Sequence, residues 1–582
     1  MSYDLNEFVD RNGTDSVKWE FMQLIDPDVK PSTLPFWVAD MDFPCAEPVL
    51  DALHKRVDRK IFGYSAHYSA EYYRAVCGWY QHRFGWFVNS SDIVYSPGVV
   101  PAVAFLIETL TKPGDGIIIQ KPVYYPFSNM INSHRRTIVN NALIEKNGRY
   151  EINFDDLEAK AKDAHNKLMI FCSPHNPVGR VWTENELRKV GRICINHGVL
   201  LLSDEIHYDI VRRGIHHIPI EMLFPKKEEK AQIITATAPS KTFNLAGMQI
   251  SNIIIHDPEI RKQWQAYVVD QLGLSMPNAM AITATVAAYT KGEDWLENVK
   301  GYIDSNLAYM KDFYAKRLPD VKFSPPEGTY LTWADFRAYG KTDEELLSLM
   351  SKDAQILVEN GSMFGEEGSG FVRMNVACTR KMLEEGLERM AVAINRLETG
   401  RKAPDFEFDT PWHKGLRLCE VAATGPVYLW FMRYFGCTLC QLDIHKLTAQ
   451  YELIAKRGAK VVIVLQSDPA LIHGQVGEGE LPFEIACDPD QRLYKLYEVR
   501  PAINRTEMLS LKTIKKLGES MMAGYKHGKY EGNEQQLPAL FLIDTDLSLL
   551  YVKYAKNLGD LPSMEEMATI LDLYKGAKKN ER

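Results

Sequence analysis

The chain runs to 582 residues, more than one hydrophobic core usually supports, so more than one domain is expected. With 46% hydrophobic and 25% charged residues it has the makeup of an ordinary globular protein, which excludes a disordered or low-complexity chain. A net charge of -8 with both signs interspersed leaves no basic stripe for nucleic acid or an anionic membrane, and small-molecule chemistry is the better expectation.

The opening MSYDLNEFVDRNGTD lacks a basic flank and an apolar run, and no window approaches about 18 consecutive apolar residues. The expectation is a cytoplasmic protein that does not enter a membrane. Nine cysteines, scattered except for Cys437 and Cys440, read as reduced core residues and not as a secreted disulfide framework. From 90 to 260, short β-branched runs alternate with amphipathic stretches: GIIIQ at 116–120, KLMIFCS at 167–173, VLLLSDE at 199–205 and QIITAT at 232–237. Buried strands separated by helices predict an α/β domain with a largely parallel sheet. The 295–318 stretch has helical spacing and leads into a smaller α+β lobe ending near Leu397. Prolines, charges and lost periodicity mark 398–412 as a linker between a first domain over 1–397 and a second over 413–578. That second domain shows a strand at PVYLWFM (426–432), a Cys-bearing turn, a helix to about 456 and a strand at KVVIVLQS (460–467). A proline-preceded hairpin, LPALFLID then LSLLYVKYA, completes a thioredoxin-like α/β pattern.

Four fragments carry the chemistry: Pro122-Val-Tyr124-Tyr125-Pro126, Ser173-Pro-His-Asn176-Pro-Val-Gly179, Ser203-Asp204-Glu205-Ile-His207 and Ser240-Lys241-Thr-Phe-Asn. Each sits where a predicted strand runs out into a loop, the edge at which open α/β sheets bind ligands. Pyridoxal 5'-phosphate needs a lysine to hold its aldehyde and a carboxylate to keep its ring nitrogen protonated, which Lys241 and Asp204 can supply. Tyr124 is the candidate ring to stack on the pyridine face, and Asn176 the amide donor to its phenolic oxygen. Phosphate is best met by backbone N–H groups opening a helix, and Ser96-Pro-Gly98-Val99-Val100 before an apolar stretch has that form. Singly, a Ser-Lys pair, an Asn-Pro-x-Gly turn or an Asp-Glu after a strand says little; in order and at strand ends they point one way. His207 reads equally as a partner beside Asp204 or as a loop histidine, and no metal site is expected.

On these motifs, together with FVDRNGTDSVKWE, PFWVADMDFPCAEPV, FGYS at 62–65, SDEIHYD and FGEEGSGFVRMNVAC at 364–378, residues 1 to about 397 resemble fold-type I PLP enzymes of the aminotransferase class I/II superfamily. The resemblance is specifically to the cystathionine β-lyase subgroup of the MalY/PatB type. It implies the PLP-dependent transferase fold, a large domain plus a small α+β lobe. It also implies a carbon–sulfur β-lyase acting on a small sulfur-containing amino acid, cystathionine or a cysteine S-conjugate, to give a thiol, pyruvate and ammonia. Lys241 becomes the lysine that bonds the cofactor aldehyde, Asp204 the ring-nitrogen partner, Asn176 the donor to the ring oxygen and Tyr124 the stacking ring. Arg373 matches the arginine that clamps the substrate α-carboxylate, for which a guanidinium fork is suited. Tyr64 matches a tyrosine reaching the phosphate of a neighbouring subunit, which implies a homodimer. One departure is Ala238, where relatives often place a hydroxyl; phosphate binding then leans on Ser240, Thr237 and the Gly98 loop. A PLP aminotransferase and a regulatory binding protein are the rival readings.

In the second domain, Cys437 lies at a strand-to-helix turn with Cys440 one turn on, so Cys437 is the more reactive sulfur and Cys440 a resolving partner; the alternative is two buried core cysteines. Residues 405 to 578 resemble the AhpC/TSA, peroxiredoxin-like branch of the thioredoxin superfamily through RYFGCTLCQLD, FEIACDPDQRLYKLYEV and QLPALFLID. Pro538 matches a cis-proline facing the active cysteine. The Pro-x-x-x-Thr-x-x-Cys signature is missing, with Arg433 and Tyr434 near its place, which leaves a peroxidase, a disulfide reductase and a non-catalytic appendage open.

Overall fold

A computed structural model describes residues 3–580, which form two compact units, Met1–Met390 and Ala391–Arg582. The first is built on a seven-stranded sheet of β1 (Ile93–Ser96), β2 (Gly116–Ile119), β3 (Thr137–Asn140), β4 (Asn166–Cys172), β5 (Leu200–Asp204), β6 (Ile233–Thr237) and β7 (Ser251–Ile255). Their order across the sheet is β1-β7-β6-β5-β4-β2-β3, and β7 alone runs against the rest. Helices cover both faces, so the strands read as continuous apolar runs and not as alternating ones. Alternation is still present in what each side chain touches. Ile117, Ile119, Leu168, Ile170 and Cys172 enter one core, while Ile118, Met169 and Phe171 enter the other.

Helix α1 (Val99–Leu110) closes the first core, and α2 (Glu184–His197) the second. The ends of α2 are fixed by local chemistry. Thr183 and Glu186 form a reciprocal capping box, and Gly198 takes the left-handed conformation at the other end. A smaller antiparallel sheet in the order β8-β9-β11-β10 is formed by β8 (Lys322–Phe323), β9 (Leu331–Asp335), β10 (Glu359–Asn360) and β11 (Phe371–Asn375). With the 25-residue helix Glu293–Arg317 it makes the α+β lobe.

The second unit holds a five-stranded sheet of β12 (Val427–Phe431), β13 (Lys460–Leu465), β14 (Glu484–Cys487), β15 (Ala539–Ile543) and β16 (Leu549–Tyr554), in the order β14-β13-β12-β15-β16. Parallel pairing of β12, β13 and β14 joins an antiparallel β15–β16 hairpin, a thioredoxin-like arrangement. Helix α3 (Thr438–Gln450) follows β12, and α4 (Leu511–Met522) packs on α3. Within 398–412, Ala403, Phe406 and Phe408 are buried against Val427, Leu429 and Phe431, and Glu407–Phe408 pairs with Leu416–Arg417. Such short apolar insertions carry no period, which is why that segment reads as unstructured in the sequence.

One expectation is corrected. The cis X–Pro bonds of the described residues are Lys121–Pro122, Ser173–Pro174 and Asn176–Pro177, and Leu537–Pro538 is not among them. Pro538 leads straight into β15, where its carbonyl accepts the Ala555 N–H at 3.0 Å and continues the hairpin ladder.

On α2, Gly191 has no side chain because the Phe224 ring occupies the space: an added Cβ would lie 2.2 Å from the ring. Gly191→Val should destabilise the first unit by about 1–3 kcal/mol through overpacking, seen as a lower denaturant midpoint for its unfolding transition. An unchanged midpoint would mean that Phe224 is free to move.

Candidate functional site

The four motif fragments meet at the carboxyl edge of the parallel strands. Asp204 is the last residue of β5, Asn176 lies in the loop after β4, Tyr124 in the loop after β2, and Lys241 in the short turn of helix Pro239–Thr242 after β6. Together with Gly98, Val99, Val100, His207 and Ser240 they line one cavity of about 170 Å³. Gly98 is the N-cap of the 12-residue α1, so the backbone amides that open this helix border the cavity.

Lys241 is buried. Its Nζ donates to the Ala39 carbonyl at 2.7 Å. Burial first, then the Arg373 charge, lower its amine to about 8, against the opposing pull of Asp40 and Asp204. Asp204 is 5% exposed and accepts the Ile206 N–H at 3.1 Å. Burial raises it to about 7, since one amide and the Lys241 charge compensate only part of the lost hydration.

Arg373 on β11 donates to Asn176 Oδ1 and to the Trp37 carbonyl, each at 3.0 Å. An arginine only donates, so the oxygen of the Asn176 amide faces Arg373 and its NH₂ is left as a donor. Glu359, opposite Arg373 across β10–β11, is in ion-pair contact with it, and the Phe364 ring lies under the guanidinium at 4.9 Å. His207 is buried with Nδ1 unpartnered, and burial, followed by the Lys241 and Arg373 charges, keeps it well below the usual imidazole range. The surroundings therefore hold His207 neutral beside Asp204. Thr237, by contrast, spends its hydroxyl on Tyr80 at 2.7 Å and is absent from the cavity wall. Tyr64 is 98% exposed and also lies outside it.

The walls contributed by Ala39, Cys172, Ala246, Gln249, Ile250 and Ser251 are not visible in the motifs. Of these, Gln249 stands in the left-handed region at φ 52° after a short turn, a conformation its residue type does not announce in the sequence. Residues of this cavity fit a flat, phosphorylated, cationic-ring cofactor: a buried carboxylate with a single amide partner, an amide donor, an aromatic face, a primary amine and a helix N-terminus.

Residues 36–390 match the aminotransferase class I and II family. The chain belongs to the aminotransferase class I and II family. Within this family it is 43% identical over 400 residues to cystathionine beta-lyase PatB of Bacillus subtilis, covering 68% of this chain and 100% of that protein. It is 33% identical to protein MalY of Escherichia coli, with 67% and 99% covered. Cystalysin from Treponema denticola, whose crystal structure contains pyridoxal 5'-phosphate, superposes with a TM-score of 0.65 at 38% identity, covering 68% of this chain and 99% of that one. Residues 399–552 match the AhpC/TSA family, so an aminotransferase-family unit and an AhpC/TSA unit are joined in one chain.

The second unit brings Cys437 and Cys440 together. Cys437 is the N-cap of α3, and its Sγ accepts the Cys440 N–H at 3.4 Å. Both thiols are buried and unpaired. The Cys440 thiol first, then the Arg433 charge and the α3 amides, hold Cys437 below the ordinary thiol range, and the same contact pushes Cys440 up. Among the described residues no cluster could hold a metal ion, and no helix is long and apolar enough to cross a membrane.

Proposed function

We propose that the first domain, residues 1–397, is a pyridoxal-phosphate-dependent carbon–sulfur β-lyase that cleaves cystathionine or cysteine S-conjugates to a thiol, pyruvate and ammonia. The second domain, residues 413–578 with 398–412 packed onto its core, is a thiol-redox appendage. The observation that carries the lyase reading is the meeting of Lys241, Asp204, Asn176 and Tyr124 in one buried cavity beside the amides of α1, in a chain 43% identical to a cystathionine beta-lyase.

When bound, pyridoxal phosphate supplies an electron sink for the substrate α-carbon. Lys241 carries the cofactor aldehyde. Asp204 keeps the proton on the ring nitrogen, and its buried carboxylate is ionised once that cation faces it. Asn176 donates to the ring oxygen from an amide held by Arg373, and Tyr124 covers a ring face. Gly98, Val99, Val100 and Ser240 receive the phosphate, while His207 packs beside Asp204 as a neutral ring. Arg373 takes the substrate α-carboxylate. Lys241 would be the base that removes the substrate α-proton, and an amine lowered to about 8 suits that task near neutral pH. Loss of that proton drives the sulfur off the β-carbon as thiolate. Water then releases ammonia and pyruvate.

The reading includes a homodimer and a reducing, cytoplasmic setting. Tyr64 is nearly fully exposed next to Ile61, Phe62 and Tyr68, an apolar strip suited to a second copy, and all nine cysteines are unpaired.

Purified protein should release equal amounts of pyruvate and thiol from L-cystathionine with no keto acid added; amino transfer that needs a keto acid would make it an aminotransferase instead. Lys241→Ala should lower turnover by at least about a hundredfold, the scale of a lost general base, and retained turnover would sink the assignment. In cofactor-free protein, capture of the aldehyde requires the neutral amine. The capture rate should therefore rise with pH through about 8 and then level off, and a rate flat across that range would contradict the role of Lys241. Tyr64→Phe should weaken cofactor retention, measured by dialysis, while leaving a dimer in light scattering; unaltered retention would remove Tyr64 from the site.

A further inference from the structure

Burial alone works against a thiolate. Taking a sulfur out of water disfavours its charged form, and Cys194, buried with no cation at hand, is pushed up to about 12 by that effect. Cys437 is equally buried, with none of its surface exposed, yet its surroundings are of a different kind. Its Sγ caps the 13-residue α3, accepting the Cys440 N–H, and Arg433 Nη2 donates to the same sulfur at 2.9 Å.

Arg433 is not a surface cation that happens to swing past. Only 9% of it is exposed, and it is fixed at several points. Its Nη1 donates to the Glu534 carbonyl at 3.0 Å, and its backbone N–H donates to Cys440 Sγ at 3.4 Å. Its own carbonyl accepts the Gln466 N–H at 2.8 Å. The other ionisable groups around the pair are otherwise engaged. Lys516 of α4 is paired with Asp443 of α3 at 2.6 Å, and Tyr434 contacts His527 and Glu534. Glu531 accepts the Gly436 N–H at 3.3 Å, and the Tyr494 hydroxyl, near Cys440, donates to the Met432 carbonyl at 2.7 Å. Glu534 lies 3.7 Å from the Arg433 guanidinium on the side away from its bond to sulfur.

We propose that Arg433 is a catalytic residue of the Cys437/Cys440 centre, its guanidinium holding the Cys437 sulfur as the attacking thiolate. This rests on the thiol-redox reading of the second domain. It also explains how the centre manages without the Pro-x-x-x-Thr-x-x-Cys pattern. Where that pattern would place a threonine hydroxyl three residues before the cysteine, this chain has Tyr434, and the donor to sulfur comes from the residue before it. A guanidinium there does more than a hydroxyl, because it offers charge and a directed N–H together.

The test uses the full chain. Alkylation of Cys437 by iodoacetamide is followed against pH on the peptide that carries it, in wild-type protein and in Arg433→Met, Arg433→Gln and Arg433→Lys. The two neutral variants should move the midpoint up by at least about one pH unit, which is roughly a tenfold loss of thiolate below the midpoint. Arg433→Lys should retain a good part of the wild-type depression. The far-ultraviolet thiolate absorbance of each protein, less that of the same protein with Cys437→Ser, gives the titration without requiring a reagent to reach the buried sulfur. Should one neutral variant fail to fold, the other decides. A wild-type midpoint in either folded neutral variant overturns the proposal, as does a lysine variant indistinguishable from the neutral ones. Diamide, a strong two-electron thiol oxidant, tests the reading beneath it: failure to form a Cys437–Cys440 disulfide would remove the redox role whatever the midpoints show.

Discussion

A lysine and an aspartate share one buried cavity in the first unit, and the cost of keeping their charges out of water shapes the site around them. Lys241 has the Ala39 carbonyl and Asp204 has the Ile206 amide, each a partial substitute for hydration. Their ordinary pKa values lie far apart, yet burial draws the amine down to about 8 and the carboxyl up to about 7. A cationic aromatic ring bound between them relieves the carboxylate. An aldehyde held on Lys241 would turn its amine into an imine. The cavity is therefore costly when empty of such a group and well matched when it holds one, and the surrounding fold has to bear that difference.

The fold bears it through the parallel sheet. β4, β5 and β6 are buried on both faces, with cores formed around alternate side chains, so their carboxyl ends are fixed to the precision of close packing. Functional residues then sit on short loops leaving rigid strands, and the aromatic, amide, carboxylate and amine arrive at one edge from four separate connections. Arg373 reaches that edge from the smaller lobe, and its bond to Asn176 ties the lobe's strand to the loop after β4.

Much of this is legible in the sequence because strand ends and motif residues coincide. GIIIQ, KLMIFCS and QIITAT each run into a loop that carries chemistry, and the strand within VLLLSDE ends on Asp204 itself; all four strands are present. What stays hidden has physical causes. Ala39, Ile250 and Ser251 line the cavity with ordinary residue types, and long-range folding alone brings them there. Pro538 carries no local mark of its peptide isomer. The Arg373–Asn176 bond spans 197 residues of chain, so neither motif announces the other.

The two units solve one electrostatic problem with opposite signs. In the first, the low-dielectric interior opposes the Lys241 ammonium and the Arg373 charge adds to that, so the amine is drawn toward its neutral form. In the second, the useful form of Cys437 is the anion, and burial opposes it. The same exclusion of water that activates the lysine would silence the thiol, as it does at Cys194. A buried thiolate therefore demands dedicated donors: the α3 amide and the Cys440 thiol on one side, and the Arg433 guanidinium on the other. Those donors are what separates Cys437 from the chain's other fully buried cysteines. Burial pushes an amine toward its neutral base, but a thiol held in the interior reaches its anion only through the positive partners that burial makes necessary.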